Sequence, residues 1–308
     1  MTAARLCVAT VLYRSRDVLA KTLPTWLDSA RGVPVEFVFA DHLPDEGCAA
    51  VVALQLAGLP HRYLPDPANP GFAAGANHAV AAATAPHVLL LNPDVWLEPD
   101  SLSRIAAAVA GAPDAPLAVG LRMRGHEYTG IEAHPVSLFN DRRAGARRDP
   151  LGPSGGAAVF PTELFHRFGG FAERLFAWGE DADLAYRLHA AGVRTRTLDL
   201  GLAHAWGHSV EGAPELRRYR AYLLARNRLL VAARTFTWPL LLLALPVLVL
   251  GQCGLAVRRV RQGQLRPFLS GVARGTVAAR AARRTWGGAR FGVRSLARYL
   301  TPGGGVSG

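Results

Sequence analysis

The chain has 308 residues, half of them hydrophobic, with glycine and proline at ordinary levels, which excludes a disordered or low-complexity protein and predicts a packed core. Three scattered cysteines (Cys7, Cys48, Cys253) with no CxxC exclude a disulfide framework and a cysteine zinc site, and fit a reducing compartment. The start, MTAARLCVATVLY, lacks the basic and long apolar regions of a secretory signal, so the active part is expected in the cytoplasm.

In chain order, LCVATVLY (6–13) reads as a strand, and Val18, Leu19, Leu23, Trp26 and Leu27 then recur at helical spacing. VEFVFAD (35–41) is a second strand, CAAVVALQLAG (48–58) a helix stopped by Gly58, and HRYLPD (61–66) a short third strand. After a glycine-bearing loop, ANHAVAAATA is helical and HVLLLN (87–92) is a fourth strand. This alternation predicts an α/β fold whose sheet is mostly parallel with helices on both faces, and in such sheets the ligand crevice lies beyond the carboxyl ends of the strands. Asp41 and Asp94 both fall at such ends, where an aspartate serves either as a turn or cap residue or as a ligand-binding group.

Residues 101–112 form a further helix and LAVGLRMRG (117–125) a strand. FNDRRAGARRDPLGPSGG (139–156) is a loop by composition; its four arginines either clamp an anion or are simply solvated, and the solvated reading is preferred. GGAAVFPTELFHRFGGF (155–171) reads as strand, short helix and turn, DADLAYRLHAAG (181–192) as a helix ended by Gly192, and VRTRTLDL (193–200) as a strand.

Three segments carry candidate chemistry. NPGFAAGANHAV (69–80) sets Gly71 and Gly75 ahead of a helix, where bare backbone N–H groups can approach an anion, with Asn77 either capping or reaching a ligand; it is neither GxGxxG nor a Walker loop. WGEDADLAYRL (178–188) crowds Glu180, Asp181 and Asp183 at a helix head, which suits the helix dipole but also raises at least one carboxyl pKa, as a general base requires, with Trp178 as an aromatic wall. HAWGHSV (204–210) offers His204 and His208 four apart; Gly207 and the missing glutamate make it unlike HExxH, so a single histidine ligand is the better reading.

Together, FAD (39–41), NPGFAAGAN (69–77), LLLNPDV (89–95), GGFAERLFAWGEDADL (169–184) and HAWGHS (204–209), in this order, resemble the family 2 glycosyltransferases, particularly the bacterial rhamnosyl- and galactofuranosyltransferase branch. The resemblance implies a GT-A fold over residues 1–212, a nucleotide-sugar donor (UDP- or dTDP-sugar), Mn²⁺ or Mg²⁺, and inversion at the anomeric carbon. By position, it makes Asp41 the partner of the nucleotide base and Asp94, completed by His204, the metal site. Asp181 becomes the general base, with Glu180 the next candidate. Thr10, Tyr13, Gly71, Phe72, Gly75, Asn77 and Asn92 are assigned to donor binding, and Gly155, Gly156 and Trp178 to the sugar and acceptor region. The chain departs from the family pattern at His42, which stands where an asparagine is usual, and at Asn92, which stands where a strict DxD has its first aspartate.

Charge divides the chain. Residues 1–215 hold 18 basic and all 23 acidic residues, a balance of −5, whereas residues 216–308 hold 17 arginines and no acid. Residues 235–257 are uncharged, long enough for a bilayer core of about 30 Å at about 1.5 Å per residue, and flanked by arginines on both sides. With Pro239 and Pro246 expected to break a span, residues 213–308 are read as a membrane-associating region built on a re-entrant or interfacial hairpin, with RRYRAYLLARNRLL (217–230) as an amphipathic approach. This seats the enzyme, alone or as a homo-oligomer, on the anionic cytoplasmic face of a bacterial plasma membrane, with a lipid-linked glycan as acceptor and cell-envelope polysaccharide synthesis as the setting. A soluble acceptor and a non-catalytic membrane scaffold are the alternatives. Nucleic-acid binding is disfavoured by the few aromatics among the basic residues, and a Rossmann oxidoreductase by the missing glycine fingerprint.

Overall fold

The computed structural model describes residues 5–205 and 213–301; Trp206, Gly207, His208 and Ser209 of the last motif lie outside them. The first half alternates as the sequence predicts: β1 (Leu6–Leu12), α1 (Arg16–Ser29), β2 (Val35–Asp41), α2 (Cys48–Gln55), β3 (His61–Pro65), α3 (Phe72–Ala82), β4 (His87–Leu91) and α4 (Ser101–Ala110). These strands pair in parallel in the order β3-β2-β1-β4. The three inner strands β1, β2 and β4 are buried along nearly their whole length because both faces are covered, whereas the edge strand β3 is largely exposed. Leu6, Val8, Leu89 and Leu91 pack toward Leu19, Leu23 and Trp26 of α1, while Cys7, Ala9, Val88 and Leu90 pack toward Ala76 and Val80 of α3.

The second half is mixed. It comprises β5 (Leu117–Met123), β6 (His126–His134), β7 (Leu138–Arg143), β8 (Ala157–Pro161), α5 (Thr162–Arg167), α6 (Glu180–Ala190) and β9 (Arg196–Ala203). The sheet continues β4-β8-β5-β6-β7 through antiparallel pairs, and β9 joins β5 in parallel. The expectation of a loop over 139–156 therefore needs correction. LFNDRR forms β7 through its antiparallel pairing with β6, with Leu138 opposite His134 and Arg143 opposite Tyr128; its burial does not alternate, since Leu138 and Arg142 are buried while Asn140 between them is exposed, so no local pattern announces the strand.

Four helices follow: α7 (Pro214–Thr235), α8 (Trp238–Arg261), α9 (Leu265–Arg284) and α10 (Val293–Leu300). The anticipated break inside 235–257 is absent. Pro239 sits in the first turn of α8, where its missing N–H costs nothing, and Pro246 is carried within a continuous helix. α7 and α9 cross closely at Gly271, where a Cβ would stand 2.3 Å from the Tyr222 carbonyl, and at Gly275, 2.9 Å from that of Arg226. Phe236 and Phe291 close on Tyr186 of α6 with ring centroids 5.0 and 4.9 Å away. Trp286 stacks over the buried Arg187 guanidinium at 4.8 Å, so these helices share a core with the sheet half.

Candidate active site

The turn after β4 is held rigidly. Thr22 Oγ1 of α1 donates to the Pro93 carbonyl at 2.7 Å, Trp26 Nε1 donates to that of Val95 at 2.8 Å, and Asn92 N donates to Gly156 O at 3.0 Å. With its backbone so fixed, Asp94 is aimed into a cleft of about 470 Å³ at the carboxyl edge of the sheet. His204 reaches the same point from the end of β9, through a bridge with Val95. Its Nε2 lies 3.0 Å from Asp94 Oδ1 and 3.5 Å from Asn92 Nδ2.

The opposite wall is the head of α6. The three acids crowded there in sequence separate in space. Asp183 turns inward, fully buried, and is paired with Arg187 (2.8 Å) and Arg234 of α7, so its role is structural. Glu180 and Asp181 face the cleft. Asp181 accepts hydrogen bonds from Gly155 N at 2.9 Å and Ala182 N at 2.7 Å; burial raises its pKa, and these N–H groups oppose the rise. Glu180 Oε2 is buried with no hydrogen-bond partner among the described residues, and burial followed by repulsion from Asp181 pushes its pKa well up.

The loop before α6 is strained, with Phe176 and Trp178 at positive φ (68° and 63°) and Gly179 at 115°. α7 holds it in place: the buried Asn227 Nδ2 lies 2.8–2.9 Å from the carbonyls of Leu175, Ala177 and Trp178, and Arg226 Nη2 donates to that of Arg174 at 2.8 Å.

Of the residues assigned from sequence, Tyr13, Gly71, Phe72, Asn92, Asp94, Gly155, Gly156, Trp178, Glu180, Asp181 and His204 line this one cleft. Four do not. Thr10 is sealed within β1, 1 % exposed. Asp41 is fully buried, accepting hydrogen bonds from Leu43 N (2.9 Å) and the Tyr63 hydroxyl, and its neighbour His42 lines the cleft instead. Gly75 acts through close packing, since a Cβ there would lie 2.5 Å from the His42 ring. Asn77 is spent on the Gly-Gly turn, exchanging two hydrogen bonds of 2.9 Å with the Phe171 backbone.

Sequence reading missed Asp141 on β7, which faces the cleft; burial and the Asp181 charge raise its pKa to about 6, opposed by His204 and Arg220. It also missed the face of α7 on which Leu216, Arg220, Leu224 and Arg228 line the cleft. Their four-residue spacing was the available signal.

The fold that carries this strand-edge cleft matches that of GT-A glycosyltransferases. The mannosyltransferase PcManGT from Pyrobaculum calidifontis, solved with GDP-Man and Mn²⁺, superposes with a TM-score of 0.56 at 16 % identity, covering 92 % of this chain and 88 % of that one. S. aureus TarS 1-349, solved with UDP-GlcNAc, gives 0.54 at 16 %, covering 91 % and 88 %. The model of the glycosyl transferase family group 2 matches residues 87–269, more than half of the chain, and the protein belongs to that family. None of the curated proteins matches it by sequence.

Proposed function

We propose that this family 2 glycosyltransferase moves a sugar, with inversion, from a nucleotide-diphosphate sugar to a hydroxyl of a lipid-linked glycan at the cytoplasmic face of a bacterial membrane. Residues 1–212 form the GT-A unit and 213–308 the membrane-associating region. The carrying observation is that Asp94 and His204 meet within 3.0 Å on one wall of the cleft while Asp181 and Glu180 stand on another.

The residues present suit a hard divalent ion. Asp94 Oδ1 and His204 Nε2 converge at the separation expected of neighbouring ligands on an ion with bonds of about 2.1 Å. Among the described residues no cluster of three His, Cys, Asp or Glu surrounds them, which leaves positions open for donor oxygens and water. Mn²⁺ or Mg²⁺ held there would neutralise the charge growing on the departing diphosphate; the histidine favours Mn²⁺.

Asp181, with two backbone N–H groups fixing its rotamer and burial raising its basicity, takes the proton of the attacking hydroxyl. Trp178 and Phe72 wall the cleft and exclude water. Membrane association is supported by α8, a helix long and apolar enough to cross a bilayer, of which only 11 % of the most apolar window is buried. The rhamnosyl- or galactofuranosyltransferase-like branch rests on the five motifs.

The test is a panel of UDP-, dTDP- and GDP-sugars scored for metal-dependent nucleotide release by wild type, Asp94→Ala and Asp181→Asn. One donor turned over by wild type alone is the expected outcome; equal release by all three sinks the site assignment.

A further inference from the structure

The cleft has a second polar end, across the sheet from Asp94 and His204. Tyr13, just after β1, and His42, just after β2, line it. The strand order there is β2-β1-β4, and neighbouring strands lie about 4.8 Å apart, so His42 stands two strands, about 10 Å, from the end of β4. A ribose and a phosphate cover that distance. A nucleoside diphosphate whose phosphates meet Asp94 and His204 therefore sets its base beside His42. Tyr13 is half-buried; among the described residues its ring stacks on no other and its hydroxyl makes no hydrogen bond, which suits a flat heteroaromatic ring.

His42 is only 2 % exposed and is held firmly. Its backbone N–H donates to Leu12 O at 2.9 Å, and its ring edge lies on Gly75, where a Cβ would stand 2.5 Å from Cε1 and 2.8 Å from Nε2. Burial lowers its pKa, with Asp66 and Asp41 opposing and His78 adding to the fall, so the ring is neutral at neutral pH. Neither ring nitrogen has a hydrogen-bond partner among the described residues. Nε2 is sealed from solvent, which leaves Nδ1 as the nitrogen open to the cleft. A sealed N–H without a partner is rarer than a sealed acceptor, which assigns the proton to Nδ1 and makes the open nitrogen a donor. Asp41 offers no substitute, since Leu43 N and the Tyr63 hydroxyl occupy its two oxygens.

We infer that His42 selects the base of the nucleotide donor, its Nδ1–H donating to a carbonyl oxygen on the edge of a base that stacks on Tyr13. The inference deepens the nucleotide-sugar reading and rests on it. A fixed donor accepts uracil, thymine or guanine, which carry a carbonyl oxygen at that edge. It rejects cytosine and adenine, whose amino group there would set N–H against N–H and leave both unpaired. An aspartate reaching the base would instead accept from an N–H, so the choice of base follows from which of the two neighbours, Asp41 or His42, faces the cleft.

The full chain is titrated, with Mn²⁺ present, against UDP, CDP, GDP, ADP and inorganic pyrophosphate. UDP should bind about tenfold or more tighter than CDP, or GDP than ADP, the two members of each pair differing at the edge that His42 meets. His42→Phe keeps a ring of similar size without a nitrogen; it should bring that ratio to about one and leave pyrophosphate binding unchanged. Tyr13→Ser should weaken every nucleotide and keep the ratio. If His42→Phe does not fold, His42→Leu, smaller and equally without a donor, decides in its place. A wild type that binds CDP as tightly as UDP and ADP as tightly as GDP overturns the inference. So does a ratio retained without the histidine, which would put base recognition elsewhere in the cleft, or an equal loss of pyrophosphate binding, which would place His42 at the phosphates. Base-selective binding that depends on His42, without turnover of any nucleotide sugar, would instead leave the base site standing and refute the transferase reading.

Discussion

Asn227 is the clearest point at which stability and the proposed catalysis share one side chain. Its fully buried amide serves three carbonyls of the strained loop that carries Trp178 and leads into Glu180 and Asp181. In Asn227→Ala, Leu175 O keeps the Ala177 N–H and Arg226, but Ala177 O and Trp178 O have no other hydrogen bond among the described residues. Two orphaned, half-buried acceptors at about 1–1.5 kcal/mol each predict a loss of about 2–3 kcal/mol. Asn227→Asp has nearly the same shape but no donors, and sets a carboxylate against those carbonyls; Arg226 Nε, 3.0 Å from Oδ1, offsets only part of that. The aspartate variant should therefore be the less stable of the two. Urea unfolding measures the first effect. The second is read from donor turnover, where kcat should fall about tenfold or more because the loop positions Glu180 and Asp181, the carboxyls proposed to act in catalysis. An aspartate variant as stable as wild type would refute the hydrogen-bond account, and an alanine variant with lost stability but unchanged kcat would refute the positioning account.

His204→Asn keeps a polar side chain but shortens it away from Asp94; Mn²⁺ affinity, followed by electron paramagnetic resonance, should drop about 10- to 100-fold. Asp183→Asn strips the charge that pairs Arg187 and Arg234, leaving buried cations uncompensated, and should cost about 3–5 kcal/mol in urea unfolding. Asp141 has a folded pKa raised to about 6 from 3.8, so the folded state holds its proton longer than the unfolded chain, and its contribution to stability falls as pH rises from about 4 to 6. Asp141→Asn removes that dependence, so its urea midpoint relative to wild type should be higher at pH 8 than at pH 4; an unchanged difference would contradict the buried carboxyl. Gly271→Leu drives a side chain into the Tyr222 carbonyl across the α7–α9 crossing and should lower the melting temperature, whereas Gly254→Leu on α8, with open space around it, should not.

Much of the site was readable because its residues lie where strands and helices begin or end, and those boundaries leave local signals. LLLNPDV announces a strand, a proline that stops it and an acid just beyond, and Asp94 is found at the cleft. Asp41 was legible as a strand end but not as a buried residue, since its role turns on Tyr63 from the neighbouring strand β3. Asp141 was hidden because β7 shows no alternation of buried and exposed residues and is fixed by its pairing with β6.

The sequence by itself determined the parallel half of the sheet, the chemical types at its carboxyl edge, the separation of charge along the chain and the apolar length of α8, because each depends on the order of neighbouring residues. Only the tertiary structure decided that Asp183 is bound inward while Asp181 is left facing the cleft, since arginines from two different helices claim the first. It alone brought α7 over the loop before α6, with Asn227 beneath Trp178 and Arg228 lining the cleft. Those contacts join residues some 50 positions apart, and no local periodicity encodes which helix face will meet which carbonyl.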